Sequence, residues 1–217
     1  MKIIELIDEE LWMIDVLEKE EKVKYLFSDK VYSNLELICI TTDISVDYSF
    51  LEGAKLNAPN LRVLYFSGEG SKSCFHFFCD PTFFAPSLEE VYLTRTGINE
   101  LPDFISKIKT LKKLNFREEK LSEIPDIIFT MVTLESLSFE YFWNIKIVSD
   151  KIKHLVNLQN FDLWGASIEY LSPELFLLPK IHIINFAYSS YQPTNEVLDA
   201  MKIFQKNESV HFSKWKF

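Results

Sequence analysis

Leu111-Lys-Lys-Leu114-Asn-Phe116, continuing to Leu121, Ile124-Pro125, Ile128 and Met131, is the stretch that decides the fold. Its frame is apolar-x-x-apolar-x-apolar, and the same frame begins at Leu35, Leu61, Leu88, Leu134, Leu158 and Ile181. Start-to-start spacings along the chain are 26, 27, 23, 23, 24 and 23 residues. Self-similarity at such a period marks a solenoid, in which each repeat packs only on its neighbours. A stack of this kind presents a surface rather than an active site, so the pattern argues for binding.

From Leu88 to Lys180 the repeats read position by position. The entry residues are Leu88, Leu111, Leu134 and Leu158. A short strand follows, with inward pairs Val91/Leu93, Leu114/Phe116, Leu137/Phe139 and Phe161/Leu163. The return side supplies Ile98, Leu101, Ile105 and Ile108, then Leu121, Ile124, Ile128 and Met131, then Ile168, Leu171, Leu175 and Leu178. Pro102, Pro125 and Pro173 fall on this side, where proline forbids continuous strand pairing and favours a turn or the start of a short helix. One copy cannot bury both its faces, so stability has to come from stacking and from hydrogen bonding the strands into a parallel sheet.

On these residues the chain resembles the leucine-rich repeat proteins, in their short 23-residue class, with bacterial and plant-like members. The pattern of that class, L-x-x-L-x-L-x-x-N-x-L-x-x-L-P, is matched best at Leu88–Pro102 and Leu111–Pro125, and the resemblance covers about residues 35–191. It implies an α/β solenoid: a curved right-handed coil with a parallel β-sheet on the concave face and short helices or turns on the convex face. One departure recurs. Where the family places an asparagine, this chain has Asp43, Glu69, Thr96, Glu119, Phe142, Ala166 and Ser189. Thr96 and Ser189 are partial substitutes. The rest predict an irregular turn after each strand in place of an asparagine ladder.

The bulk properties exclude several classes. The chain has 217 residues, 47% of them hydrophobic and only five glycine, enough to fill a core. Its formal charge of −9 and lack of a lysine–arginine run argue against nucleic acid and against an anionic membrane surface. Met1–Glu10 does not read as a secretory signal, and no segment approaches a membrane span. Cys39, Cys74 and Cys79, an odd number, make no disulfide framework. A cytoplasmic, reducing compartment is the simplest expectation, with delivery into a host cell as a second destination. Frequent Lys, Ile, Phe and Asn point to an AT-rich, bacterial genome.

The ends and one loop break the period. Residues 1–34 are expected to form an N-terminal cap, mostly helical, with Asp8 capping a helix through Leu11, Ile14, Leu17 and Val23. The alternative is two short strands, Ile3–Ile7 and Leu11–Leu17. Seven repeats fill residues 35–191. Residues 192–217 are expected to form a C-terminal cap, with a helix opened by Pro193-Thr194 and a last strand within 209–217. Between Ser67 and Pro86 one coil lengthens and gathers Phe75, Phe77, Phe78, Phe83 and Phe84. These rings either widen the core or form an exposed docking patch.

No motif carries catalysis. Ser67-Gly-Glu-Gly-Ser-Lys-Ser73 lacks the Gly-Lys pair and the following helix of a phosphate loop, and reads as a connecting turn. Cys74, His76 and Cys79 have no second ligand pair to complete a structural zinc site. His154, His182 and His211 are scattered. Neither a metal nor a cofactor is expected, and the chain is not read as an enzyme.

The constellation that matters comes from strand alternation, which sends every second side chain to the solvent face of the sheet. Stacked by repeat, the central outward column is Cys39, Tyr65, Tyr92, Asn115, Ser138, Asp162 and Asn185. The next is Thr41, Ser67, Thr94, Arg117, Glu140, Trp164 and Ala187, and beyond it lie Thr42, Gly68, Arg95, Glu118, Tyr141, Gly165 and Tyr188. Tyr, Trp and Arg are the types enriched at binding hot spots. The candidate partner-binding set is therefore Tyr65, Tyr92, Arg95, Arg117, Glu140, Tyr141, Asp162, Trp164 and Tyr188. The competing explanation is that aromatics satisfy strand propensity. The expected function is a monomeric module binding a protein or peptide on this face. The alternatives are the recognition part of a larger bacterial effector, such as a leucine-rich repeat ubiquitin ligase, and a purely structural scaffold.

Overall fold

The computed structural model describes residues 11–15, 33, 35–41, 57–68, 86–101, 103–186, 191–205 and 211–212. They fall into two compact units, Met1–Ile98 with Pro102–Leu111, and Asn99–Leu101 with Lys112–Phe217.

The first unit is built on four parallel strands, β1 (Leu11–Asp15), β2 (Leu37–Thr41), β3 (Val63–Ser67) and β4 (Glu90–Thr94), paired in chain order. Its register is the repeat register. Ile38 lies opposite Leu64 and Leu64 opposite Val91, all three buried, while Cys39, Tyr65 and Tyr92 align in the part-exposed row between inward rows. The entry residues Leu35, Leu61 and Leu88 are buried too. They start the coil in the core, and the next strand then begins from a shared carbonyl: Glu36 O accepts from the N–H groups of Arg62 and Val63, and Arg62 O from those of Glu89 and Glu90.

The helical reading of the N-terminal segment fails at Leu11–Asp15, which is a strand pairing with β2 over its whole length. The cause is the open edge of β2, whose amides and carbonyls need partners more than Leu11 and Ile14 need a helical face. The register puts Trp12 and Ile14 opposite Ile38 and Ile40. Apart from these residues and Ser33, the predicted cap lies outside the described residues, as do the Phe75–Phe84 loop and the Cys74/His76/Cys79 group.

The second unit carries strands β5 (Lys113–Arg117), β6 (Ser136–Glu140), β8 (Asn160–Asp162), β10 (Ile183–Asn185) and β11 (His211–Phe212), again parallel and paired in that order. Leu114, Leu137, Phe161 and Ile184 form one buried row. Phe116 and Phe139 lie stacked in the next, with ring centroids 5.1 Å apart, and Phe142 meets Phe139 edge-on at 5.5 Å. Single 3-10 turns at Asp126–Thr130, Asp150–His154 and Pro173–Leu177 form the return side and bury Ile128, Ile152 and Leu175. After each of the first two turns the same pair of bonds leads to the next leucine: Met131 N to Ile128 O and Leu134 N to Met131 O, then Leu155 N to Ile152 O and Leu158 N to Leu155 O.

A second, two-stranded parallel ribbon joins β7 (Ile147–Val148) to β9 (Tyr170–Leu171) on this side. Asp150 ties it to the following repeat by accepting from Tyr170 Oη at 3.0 Å and Ser172 Oγ at 2.7 Å. Helix α1 (Asn195–Gln205) buries Val197, Ala200, Met201 and Phe204, and its first turn is held by Thr194 Oγ1 accepting from Val197 N.

Candidate functional site

Each strand ends on a turn built around one left-handed residue. Gly68, Arg95, Glu118, Tyr141 and Gly165 occupy the same repeat position with φ of 100°, 56°, 54°, 61° and 75°. The backbone at this residue swings the chain inward. Its own N–H still extends the ladder where Gly68 N donates to Thr94 O, Glu118 N to Glu140 O and Tyr141 N to Trp164 O. The turn is therefore regular, against the irregular one expected from the missing asparagines. The following residues Thr96, Glu119, Phe142 and Ala166 are all buried, so this position is filled by side chains of very different chemistry while the backbone geometry stays constant. Three of these turns place a large side chain where glycine would be strain-free; an L-residue there costs about 1–2 kcal/mol. Arg95 is exposed and Glu118 and Tyr141 are half-buried, all held in this conformation in spite of that cost.

In the first unit, Tyr65 and Tyr92 stand opposite one another across β3 and β4, with centroids 6.1 Å apart and planes tilted by 34°. Tyr65 Oη donates to Thr94 Oγ1 at 3.3 Å, and Tyr92 Oη to Glu90 Oε2 at 2.6 Å. Burial, reinforced by the hydrogen bond to Glu90, pushes the Tyr92 phenol up to about 12. Arg95 is exposed on the turn beyond Thr94.

The second unit brings five of the candidate residues into one connected group. Arg117 Cζ lies 5.2 Å from the centroid of the Tyr141 ring, and that ring is 4.5 Å from Trp164, with the two planes at 58°. The Arg117 guanidinium is 3.7 Å from Glu140 Oε2 and 3.7 Å from Glu118 Oε1. Glu140 Oε1 accepts from Asn115 Nδ2 at 3.1 Å and from Ser138 Oγ at 3.4 Å. Asp162 Oδ1 accepts from Trp164 N at 2.8 Å and Oδ2 from Asn185 Nδ2 at 3.0 Å. Burial raises the Asp162 carboxyl above the ordinary carboxylate range, with the charge of Glu140 adding to it and the two hydrogen bonds opposing. Tyr188, the ninth candidate, lies outside the described residues.

The sequence matches no family profile, and no curated protein matches it. Solved structures do. Internalin C2 of Listeria monocytogenes aligns with 77% of this chain and 68% of its own, at a TM-score of 0.55 and 14% identity. A Leptospira interrogans LRR protein aligns with 85% of this chain and 50% of its own, at 0.57 and 16%. A chain of the LRIM1/APL1C complex aligns with 83% and 32%, at 0.51 and 17%. The fold is the leucine-rich repeat solenoid. This chain thus spans half or less of the length of two of those matched chains.

Within that leucine-rich repeat frame, the candidate list omitted the residues that hold its carboxylates. Asn115, Ser138 and Asn185 sit in the same outward column as Asp162 and donate to Glu140 or Asp162. Their position in the column was the available signal. Trp143, two residues past Tyr141 and 66% exposed, was also not singled out, and it lies off the strand alternation. Among the described residues no three His, Cys, Asp or Glu side chains gather to hold a metal ion, and no helix is long and apolar enough to cross a membrane.

Proposed function

We propose that this chain is a non-enzymatic interaction module that docks a protein or peptide on the solvent face of its leucine-rich repeat sheet. The second-unit group Arg117, Glu140, Tyr141, Asp162 and Trp164 is the centre of that surface; in the first unit, Tyr65, Tyr92 and Arg95 hold outward repeat positions of their own. The carrying observation is the joined arginine–tyrosine–tryptophan cluster on an outward face, partly held by a left-handed tyrosine. Strand propensity alone explains an aromatic on a strand. It does not explain Tyr141, which lies beyond β6 in a conformation that disfavours any side chain.

Rings and guanidinium groups give large contact area with a polar handle, which is why truncating them at interfaces often costs 2 kcal/mol or more. The test is partner capture by the whole chain and by a Trp164→Ala/Arg117→Ala double variant. The double variant is expected to lose at least ten-fold in affinity while its melting temperature stays near that of the parent. Trp143→Ala serves as the control on a neighbouring exposed ring. Undiminished capture by the double variant, together with loss of capture on Phe77→Ser or Phe83→Ser in a folded protein, would transfer the interface to the phenylalanine-rich loop.

A further inference from the structure

We propose that the sheet face around Asp162 and Trp164 receives a cationic side chain, guanidinium or ammonium, from a basic segment of the partner. The inference rests on reading this face as the docking surface and adds the chemistry of what docks there.

Charge on the face is unbalanced. Asp162 is held by two neutral donors, the Trp164 amide and the Asn185 side chain, and its charged neighbour is the like-charged Glu140. Among the described residues no lysine or arginine forms an ion pair with Asp162. The guanidinium of Arg117 is shared between Glu118 and Glu140, at 3.7 Å from each, beyond hydrogen-bonding distance. Two carboxylates, Glu140 and Asp162, thus lie in a group whose guanidinium, that of Arg117, stands beside Glu140 and is drawn also toward Glu118.

The rings supply the second half of the argument. An aromatic face beside a carboxylate attracts a cation through both the ring quadrupole and the full charge, and tryptophan is the strongest of the aromatic partners. Tyr141 and Trp164 form a tilted pair, and the Asp162 carboxylate caps the backbone amide of Trp164. Arg117 over Tyr141 shows a guanidinium already accommodated on one of these rings by the chain itself. An acidic partner would meet Asp162 and Glu140 with like charge. The net charge of −9 would steer a basic one inward.

The test uses the full chain and a fluorescein-labelled peptide of alternating glycine and arginine, followed by fluorescence anisotropy. Counterparts with citrulline or glutamate in place of arginine keep the length and remove or reverse the charge. The arginine peptide should bind, weaken with salt, and exceed the other two by at least ten-fold. Asp162→Asn should lower its affinity at least ten-fold, and Trp164→Leu should weaken it as well. In carboxyl NMR titrations the bound peptide should lower the Asp162 pKa, a shift that a merely structural Asp162 would not show. Equal binding by the citrulline peptide, or undiminished binding by Asp162→Asn, overturns the proposal.

Selection from a random peptide display library on the parent and on Trp164→Ala separates this inference from the reading beneath it. Trp164-dependent peptides that are not rich in arginine or lysine would leave the docking face standing and remove its cationic specificity. The absence of any Trp164-dependent peptide, with no binding of the arginine peptide, would remove both.

Discussion

A Cβ placed on Gly165 would meet the Cα and Cδ1 atoms of Tyr141 at 3.4 Å, so the glycine of one turn lies directly against the tyrosine of the turn before it. Gly165 also holds a φ of 75°, so a substitution there is strained through the backbone, while the contact with Tyr141 is an ordinary one. Gly165→Ala is expected to cost about 1–2 kcal/mol from the left-handed backbone. The added methyl would stand in ordinary contact with Tyr141, so the near-ultraviolet circular dichroism of the Tyr141–Trp164 pair should be kept. Unchanged stability would show that the turn tolerates a side chain freely.

Neighbouring residues in one strand should respond very differently to truncation. Leu114 is buried in the inward row, and Leu114→Ala should cost about 2–5 kcal/mol through lost burial and the residual cavity. Asn115 faces outward but donates to Glu140, so Asn115→Ala should cost about 0.5–1.5 kcal/mol, the scale of one hydrogen bond. Denaturant unfolding of both variants checks the register. Equal losses would mean that the assignment of inward and outward faces is wrong.

The repeat register was legible in the sequence because it depends on the large apolar residues at fixed spacing, and burial of Leu114, Phe116, Leu137 and Phe139 follows from alternation alone. The turns were not. Their common geometry lies in the backbone dihedrals of Arg95, Glu118 and Tyr141, residue types that carry no left-handed signature of the kind glycine or asparagine gives. The N-terminal strand, the alternative to a helix in the sequence, was undecided for a different reason. Leu11 and Ile14 satisfy a helical spacing over so short a window, and the deciding term, pairing to the edge of β2, is non-local. In the candidate site the aromatic and arginine anchors were visible as types, whereas the bonds from Asn115, Ser138 and Asn185 to the carboxylates became visible only once the strands were stacked.

Asp162 should make stability depend on pH in the sense opposite to a salt-bridged acid. Its carboxyl is raised in the folded chain, chiefly by burial, above the ordinary value of 3.8. The folded state therefore holds the proton more tightly than the unfolded state, so as pH rises from about 4 through the folded value this group removes stability. Asp162→Asn keeps an acceptor for the Trp164 amide, and Asn185 can turn its own amide to accept from the new side chain. The variant should melt higher than the parent at neutral pH, with the gain shrinking as pH falls toward 4. A gain that grows on acidification would reverse the assigned sign.

The C-terminal segment is expected to be needed for a soluble, monomeric chain. Helix α1 buries Val197, Ala200, Met201 and Phe204, and Phe204 meets Phe176 of the last 3-10 turn edge-on at 5.8 Å. Beyond the helix, β11 pairs with β10 and occupies its outer edge. Deleting residues 192–217 would strip both, leaving the edge of β10 unpaired and uncovering the apolar surface around Phe176. An unpaired strand edge beside apolar surface is a template for association between copies. Phe204→Ala isolates the packing contribution from the strand pairing and should cost about 3–5 kcal/mol if the ring is as well packed as its burial indicates. Size-exclusion chromatography and thermal unfolding of the truncated chain decide the matter: oligomers and a lower melting temperature are expected. A monomer that melts with the parent would show that the repeats close their own end, and that α1 and β11 serve some purpose other than capping.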